Sequence, residues 1–167
     1  SRAAAVLPPN RELRQFYAWG IDSTGAAREF AAIYSIPGSP VLTEIWMEAL
    51  GVQVDTSSTN YQWSFYSRPY PGLASAIILD SIVARAERLG GAEFRRQAPP
   101  SPGSEFQAYA RVGALNNTEF GYWVSDTSRY YWGLQYTFQI QVTQDSSYSV
   151  AYKIFIADAV TGQILLV

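Results

Sequence analysis

The sequence predicts an α+β protein built from two similar units, each a helix packed on an antiparallel β-sheet. Three observations point there. "IDSTGAAREFA" at Ile21 to Ala31 and "LDSIVARAERLGGAEF" at Leu79 to Phe94 both open with an apolar residue and Asp-Ser, then run on as Ala/Arg/Glu-rich segments of helical spacing. Each is followed by a breaker and by strand, turn and strand signals, an order that internal duplication explains economically. Finally, Leu134, Tyr136, Phe138, Ile140 and Val142 alternate without error with Gln135, Thr137, Gln139, Gln141 and Thr143, the pattern of a strand with one buried and one wet face. Coincidence is the competing explanation of the repeat, since Asp-Ser is a good N-cap before any helix. The expected division is an N-terminal tail over 1–12, a degenerate first repeat over 13–78 and a second repeat over 79–167.

The elements follow in order. Pro8-Pro9 breaks the opening tail, and Leu13 to Ile21, with Phe16, Tyr17 and Trp19, reads as a strand. Ala27, Phe30, Ala31 and Tyr34 recur at three and four residues, which predicts a helix behind an Asp22 or Ser23 cap. Pro37-Gly38-Ser39-Pro40 ends it. Val41 to Leu50 fits a helix locally. It is assigned as a strand because "DTSSTN" at Asp55 to Asn60 reads as a turn into "YQWSFYS", where Tyr61, Trp63 and Phe65 alternate with polar residues. A second helix is expected from Ser81 to about Leu89, stopped by Gly90-Gly91. Strands are expected at Phe106 to Val112, Trp132 to Thr143, Tyr148 to Ala157 and Gln163 to Val167.

Composition narrows the function. At 167 residues and 48% hydrophobic content the chain can bury a shared core. A net charge of -2 and a pI near 5.1 give no basic stripe for a phosphate backbone, so no nucleic-acid partner is expected. The absence of His and Cys removes the usual general base near neutral pH, the thiolate nucleophile and the ordinary zinc ligands, and neither cofactor nor metal is expected. No run approaches the roughly 20 apolar residues that cross a bilayer, so the chain is not expected to insert in a membrane. "SRAAAVLPPN" at the start reads as a tether from which something upstream was removed, so the expected parent is secreted or anchored through a missing N-terminal segment.

Five of the six aspartates, Asp22, Asp55, Asp80, Asp126 and Asp145, precede Ser or Thr, a pairing that caps helices and turns through local hydrogen bonds. "DTSSTN" lacks the Gly and distal Glu of a calcium loop. Glu44 with Glu48, or Glu105 or Glu119 with another acid, could form a carboxylate pair, but surface charge is the default reading. A serine nucleophile without His would need Lys153, the single lysine beside eleven arginines, as its base, but its place within "YKIFI" on a strand reads as an ordinary outward charge.

The close of the chain, "YKIFIADAVTGQILLV", resembles the end of PepSY domains, where a strand enters an Asp-Ala-x-Thr-Gly turn and leaves as a last apolar strand. The matching residues are Asp158, Ala159, Thr161 and Gly162. The resemblance covers about the last thirty residues well and the region from Ser81 more loosely; Asn116 to Tyr131 is an insertion, and Asn116 opens a glycosylation acceptor pattern. It implies a tandem PepSY-like or cystatin-like architecture and an extracytoplasmic, noncatalytic role in the cell envelope. From the residues themselves, Asp158 should accept backbone N–H bonds and Gly162 should take a positive φ.

The expected function is therefore a non-catalytic protein-interaction or assembly module that binds a protein partner or self-associates. "GYWVSDTSRYYWG" from Gly121 to Gly133 carries the candidate partner-binding residues Trp123, Arg129, Tyr130, Tyr131 and Trp132, because Tyr, Trp and Arg anchor interfaces. Core packing of the same rings competes with that reading. The alternatives are a carbohydrate-binding module using exposed rings and an enzyme with a carboxylate-lined pocket in an α+β cone fold.

Overall fold

The computed structural model describes residues 10–38, 41–48, 51–58, 69, 78–97, 105–114, 126, 128–141 and 148–166. They form one antiparallel sheet of eight strands: β1 Glu12–Trp19, β2 Glu29–Ser35, β3 Val41–Glu48, β4 Gly51–Ser58, β5 Glu105–Gly113, β6 Tyr131–Gln141, β7 Tyr148–Asp158 and β8 Ile164–Leu166. Their order across the sheet is β4-β3-β2-β1-β5-β6-β7-β8. Among the described residues, one helical segment lies between β4 and β5 in sequence: α1 (Leu79–Ala86), a kinked turn over Glu87–Gly91 and α2 (Ala92–Arg96).

This overturns the expected fold class. The protein is not two α+β units of helix on sheet, and the PepSY-like internal repeat expected from the Asp-Ser stretches is absent as architecture. The segment predicted as the first helix is strand β2, paired to β1 from Glu29 opposite Trp19 to Ser35 opposite Glu12, and to β3 along its whole length. The helical spacing misled because β2 lies inside the sheet with both faces covered: Ala31 is 0%, Ala32 4% and Ile33 6% exposed. A strand buried on both sides loses its polar alternation, and strand pairing overrides the helix propensity of Ala and Glu. Asp22, expected as a helix cap, closes the β1–β2 connection instead. Its Oδ1 accepts from the Thr24 N–H at 2.8 Å, the Thr24 hydroxyl at 2.7 Å and the Ala26 N–H at 3.1 Å.

Other expectations fare differently. Val41–Glu48 is a strand, but its hairpin partner is Gly51–Ser58, so Asp55 to Ser58 are strand rather than turn. Tyr61, Trp63 and Phe65 lie outside the described residues, as do Asn116, Glu119 and Asp145. Gly90 does take the left-handed conformation, at φ 98, yet the helix resumes beyond it, since Gly91 returns to helical angles and Phe94 on α2 stacks on Phe138 at 4.5 Å. At the C-terminal hairpin the local reading holds. Asp158 Oδ1 accepts from the N–H groups of Val160 at 2.9 Å and Thr161 at 2.8 Å, and Gly162 has φ 65.

The helical segment packs on the face of the sheet that carries Phe16 and Ala18 of β1, Ala108, Ala110 and Val112 of β5, Trp132, Leu134 and Tyr136 of β6, and Phe155 and Ala157 of β7. Large and small side chains oppose each other across strands: Ala110 faces Leu134, Ala108 faces Tyr136, and Trp132 lies between Val112 and Ala157. The alanines leave a trough into which Ile82, Val83 and Ala86 descend, all at 0–1% exposure. Burial of the Ile82 and Val83 side chains contributes about 1.5–3 kcal/mol each. Beneath the kink, Glu87 Oε1 accepts from the Tyr136 hydroxyl at 2.5 Å and from Arg95 Nη2 at 3.0 Å, while the Arg95 guanidinium lies 4.3 Å from the Phe106 ring centre.

The β1–β2 turn touches the start of α1 so closely that a Cβ on Gly25, whose φ is +91, would lie 2.4 Å from the Asp80 Cα. Gly25→Ala is therefore expected to lower stability by about 2 kcal/mol or more. The check is a shift of the urea midpoint with an unchanged slope.

Candidate functional site

On the face turned away from the helix, β1 presents Gln15, Tyr17 and Trp19, and the register aligns these with β2 and β5. Trp19 stands between Glu29 and Tyr109, and Tyr17 between Ala31 and Arg111. Ala31 on β2 has Trp46 of β3 on its other side. Because Ala31 is small, the Trp46 ring reaches over β2 and stacks on Trp19, with centroids 4.9 Å apart and planes 16° from parallel. Tyr17 and Tyr109 stack on Trp19 as well, at 5.4 Å and 6.4 Å. All four rings are half-buried.

This stack walls a cleft of ≈ 880 Å³ at the end of the β1–β2 hairpin, a volume within the range of ligand or peptide sites. The β1–β2 turn, from Gly20 through Asp22 to Arg28, forms its rim, and Phe106 with Arg95 beneath the kinked helix closes its inner side. Backbone bonds hold the rim in place: Ile21 N–H donates to Ala108 O at 3.2 Å, and Arg28 N–H to Trp19 O at 3.0 Å. Asp22 and Glu29 are the cleft's two carboxylates. The Thr24 hydroxyl, followed by the Thr24 and Ala26 amides, holds the Asp22 carboxyl below its usual range, so it stays ionised near neutral pH and is not a proton donor there. Among the described residues no group of three or more Asp or Glu converges on a metal position.

The candidate residues predicted from the sequence lie elsewhere, at the start of β6. Trp123 is outside the described residues. Tyr131 and Trp132 are each 2% exposed and point to opposite faces: Trp132 belongs to the core under the helix, and Tyr131 packs with Ile156 on the other face. Tyr130 is half-buried, and its hydroxyl donates to Pro69 O. Arg129 is exposed and bridges two acids, with Nε 3.1 Å from Asp126 and Nη1 3.2 Å from Asp158. Arg129 and Tyr130 thus precede β6, and Tyr131 and Trp132 open it with both rings buried, one on each face.

Sequence reasoning missed the cleft. Trp19 reads only as a strand residue, Trp46 lies in a segment of mixed signal, and Glu29 lies in an expected helix. The usable signal was the period-two set Gln15, Tyr17 and Trp19 in β1. A second exposed feature is the outer edge of β7, where β8 pairs only near Ile156 and Ala157 and leaves Val150 at 52% and Tyr152 at 62% exposure. No helix is long and apolar enough to cross a membrane among the described residues. No protein-family model, curated protein or solved structure matches the chain.

Two outcomes follow from this placement. Trp132→Ala removes a core indole and is expected to cost about 3–5 kcal/mol, whereas Trp46→Ala, at the half-buried end of the stack, should cost about 1–2 kcal/mol; urea unfolding of both variants checks the contrast. Burial pushes the Asp158 carboxyl up, but the Thr161 and Val160 amides, the Thr161 hydroxyl and Arg129 outweigh it, and its pKa lies below the ordinary value. A depressed folded-state pKa stabilises the fold above the unfolded value of about 3.9, and that contribution disappears as pH falls through the lower folded value. The stability gap between the wild type and Asp158→Asn should accordingly be larger at pH 6 than at pH 2.

Proposed function

We propose that this chain is a non-catalytic module that binds another polypeptide, as an interaction or assembly unit of an extracytoplasmic, cell-envelope system. The observation that carries this reading is the cleft walled by Trp19, Trp46 and Tyr109. Half-buried aromatic rings framed by charged side chains are the usual composition of a protein-binding anchor site. The cleft is open at the end of a rigid hairpin, so an extended segment can enter it without unfolding the sheet.

The stacking bears on the carbohydrate alternative. A sugar ring needs the free face of an aromatic side chain, and Trp19 has three nearly parallel rings against it at 4.9–6.4 Å. The central ring of the wall therefore offers an edge, which suits apolar side chains better than pyranose faces, and a pyranose would have to meet the outer side of Trp46 instead. An acid–base reaction draws no support from Asp22, whose carboxyl is engaged by its own turn. The extracytoplasmic placement rests on the resemblance of the close of the chain, Asp158 to Gly162, to the end of PepSY domains.

The test is site-specific photo-crosslinking in the cells that make the protein, with benzoylphenylalanine at Gln107 in the cleft and, as control, at Arg88 on the helix; both positions are exposed. A discrete polypeptide adduct is expected from Gln107, absent from Arg88 and lost when Trp46→Ala is added. No adduct from Gln107, or a saturable hit on a glycan array that Trp46→Ala abolishes, would overturn the reading.

A further inference from the structure

Glu29 and Glu48 stand directly opposite each other on β2 and β3, on the face that carries Trp19 and Trp46, and both are exposed. Residues in direct register keep their Cβ atoms about 4.5–5.5 Å apart, and like charges held there repel. Neither glutamate forms an ion pair among the described residues. Their neighbours in the same row do not compensate them: Trp19 lies beyond Glu29 on β1, and Gly51 beyond Glu48 on β4. Arg95, the inner cation of the cleft, is held by Glu87 and by Ile21 O. Arg28 packs its aliphatic stem against Gly20 and pairs with neither glutamate.

Two further features give this charge pair a shape. Trp46, two residues before Glu48 and on the same face, has one side against Trp19; no second ring contact covers the other side among the described residues. Gly51, opposite Glu48 on the edge strand, has open space where a side chain would stand. Two carboxylates without an ion-pair partner among the described residues thus stand in the row next to an indole, beside a gap at the sheet margin, and the row leads into the cleft through Glu29. A cation there gains from both carboxylates and from the ring quadrupole, and relieves the repulsion between the acids.

We infer that the cleft is selective for a polypeptide segment carrying a basic side chain, Arg or Lys, next to an apolar one: the cation lies between Glu29 and Glu48 against Trp46, and the apolar group meets the Trp19–Tyr109 wall. This rests on the polypeptide-binding reading above and names the chemistry of its partner.

The probes are the capped peptides Gly-Leu-Arg-Leu-Gly, its Lys form and its Gln form, titrated into the full chain while the indole N–H resonances of Trp19 and Trp46 are followed. The Arg and Lys peptides should move both indoles and bind at least about tenfold more tightly than the Gln peptide, a preference that shrinks at 0.5 M salt. Glu29→Gln/Glu48→Gln should abolish the preference while melting about 1–3 °C higher than the wild type, because the repulsion is gone. Equal binding of the Arg and Gln peptides, a preference retained in the double variant, or a lower melting temperature for it would overturn the inference. If the Gln peptide still moves the indoles in those cases, the polypeptide-binding cleft stands without its charge selectivity; if no peptide moves either indole, both fall.

Discussion

A helix can settle into a sheet only where the sheet leaves it room, and here that room is made by alanine. Ala18, Ala108, Ala110 and Ala157 come from β1, β5 and β7 and are 0–2% exposed. They are set among Trp132, Leu134, Tyr136 and Phe155, so the floor beneath Ile82, Val83 and Ala86 is a trough with bulky walls. Close packing makes such a surface intolerant of volume changes in either direction. The trough exists only because β1, from the start of the chain, inserts between β2 and β5 and joins the two halves into one sheet.

The kink in the helical segment is the second constraint. Left-handed Gly90 redirects the chain, and Gly91 sits where a Cβ would lie 2.8 Å from both Ala86 O and the Tyr136 ring. The redirected α2 brings Arg95 over Phe106 and Tyr136, with its charge met by Glu87. Burial first, and then the bond to Glu87, push the Tyr136 hydroxyl pKa upward, so it remains a donor across the physiological range. Arg95 also faces the cleft, so packing inside the molecule and the shape of the candidate site share one side chain.

The outer face works differently. Its rings Tyr17, Trp19, Trp46 and Tyr109 pack on one another and stay half-buried, while Gln15, Tyr131 and Ile156 on the same face are buried. Such a surface is preorganised: the rings lose little freedom when a partner arrives, which favours binding. The acid pair beside it has the opposite character, two like charges in direct register with no ion-pair partner among the described residues. Conflicts of that kind belong at functional sites, where a ligand relieves them.

Much of the strand content was legible from local pattern. The unbroken alternation through Leu134, Tyr136 and Phe138 identifies β6, and Asp158 with Gly162 identifies the last hairpin, because both signals depend on residues close in sequence. The helix after Asp80 was legible for the same reason. The state of Ala27 to Tyr34 was not: a segment covered on both faces carries no alternation, and its small and apolar residues suit either conformation until β1 and β3 are beside it. Burial of Tyr131 and Trp132 also lay beyond local reading, since aromatic composition is shared by cores and interfaces. The cleft belongs wholly to tertiary structure. Trp19, Glu29, Trp46 and Tyr109 lie on four strands and meet only through register, a property of pairing between distant segments that no single stretch of the sequence contains.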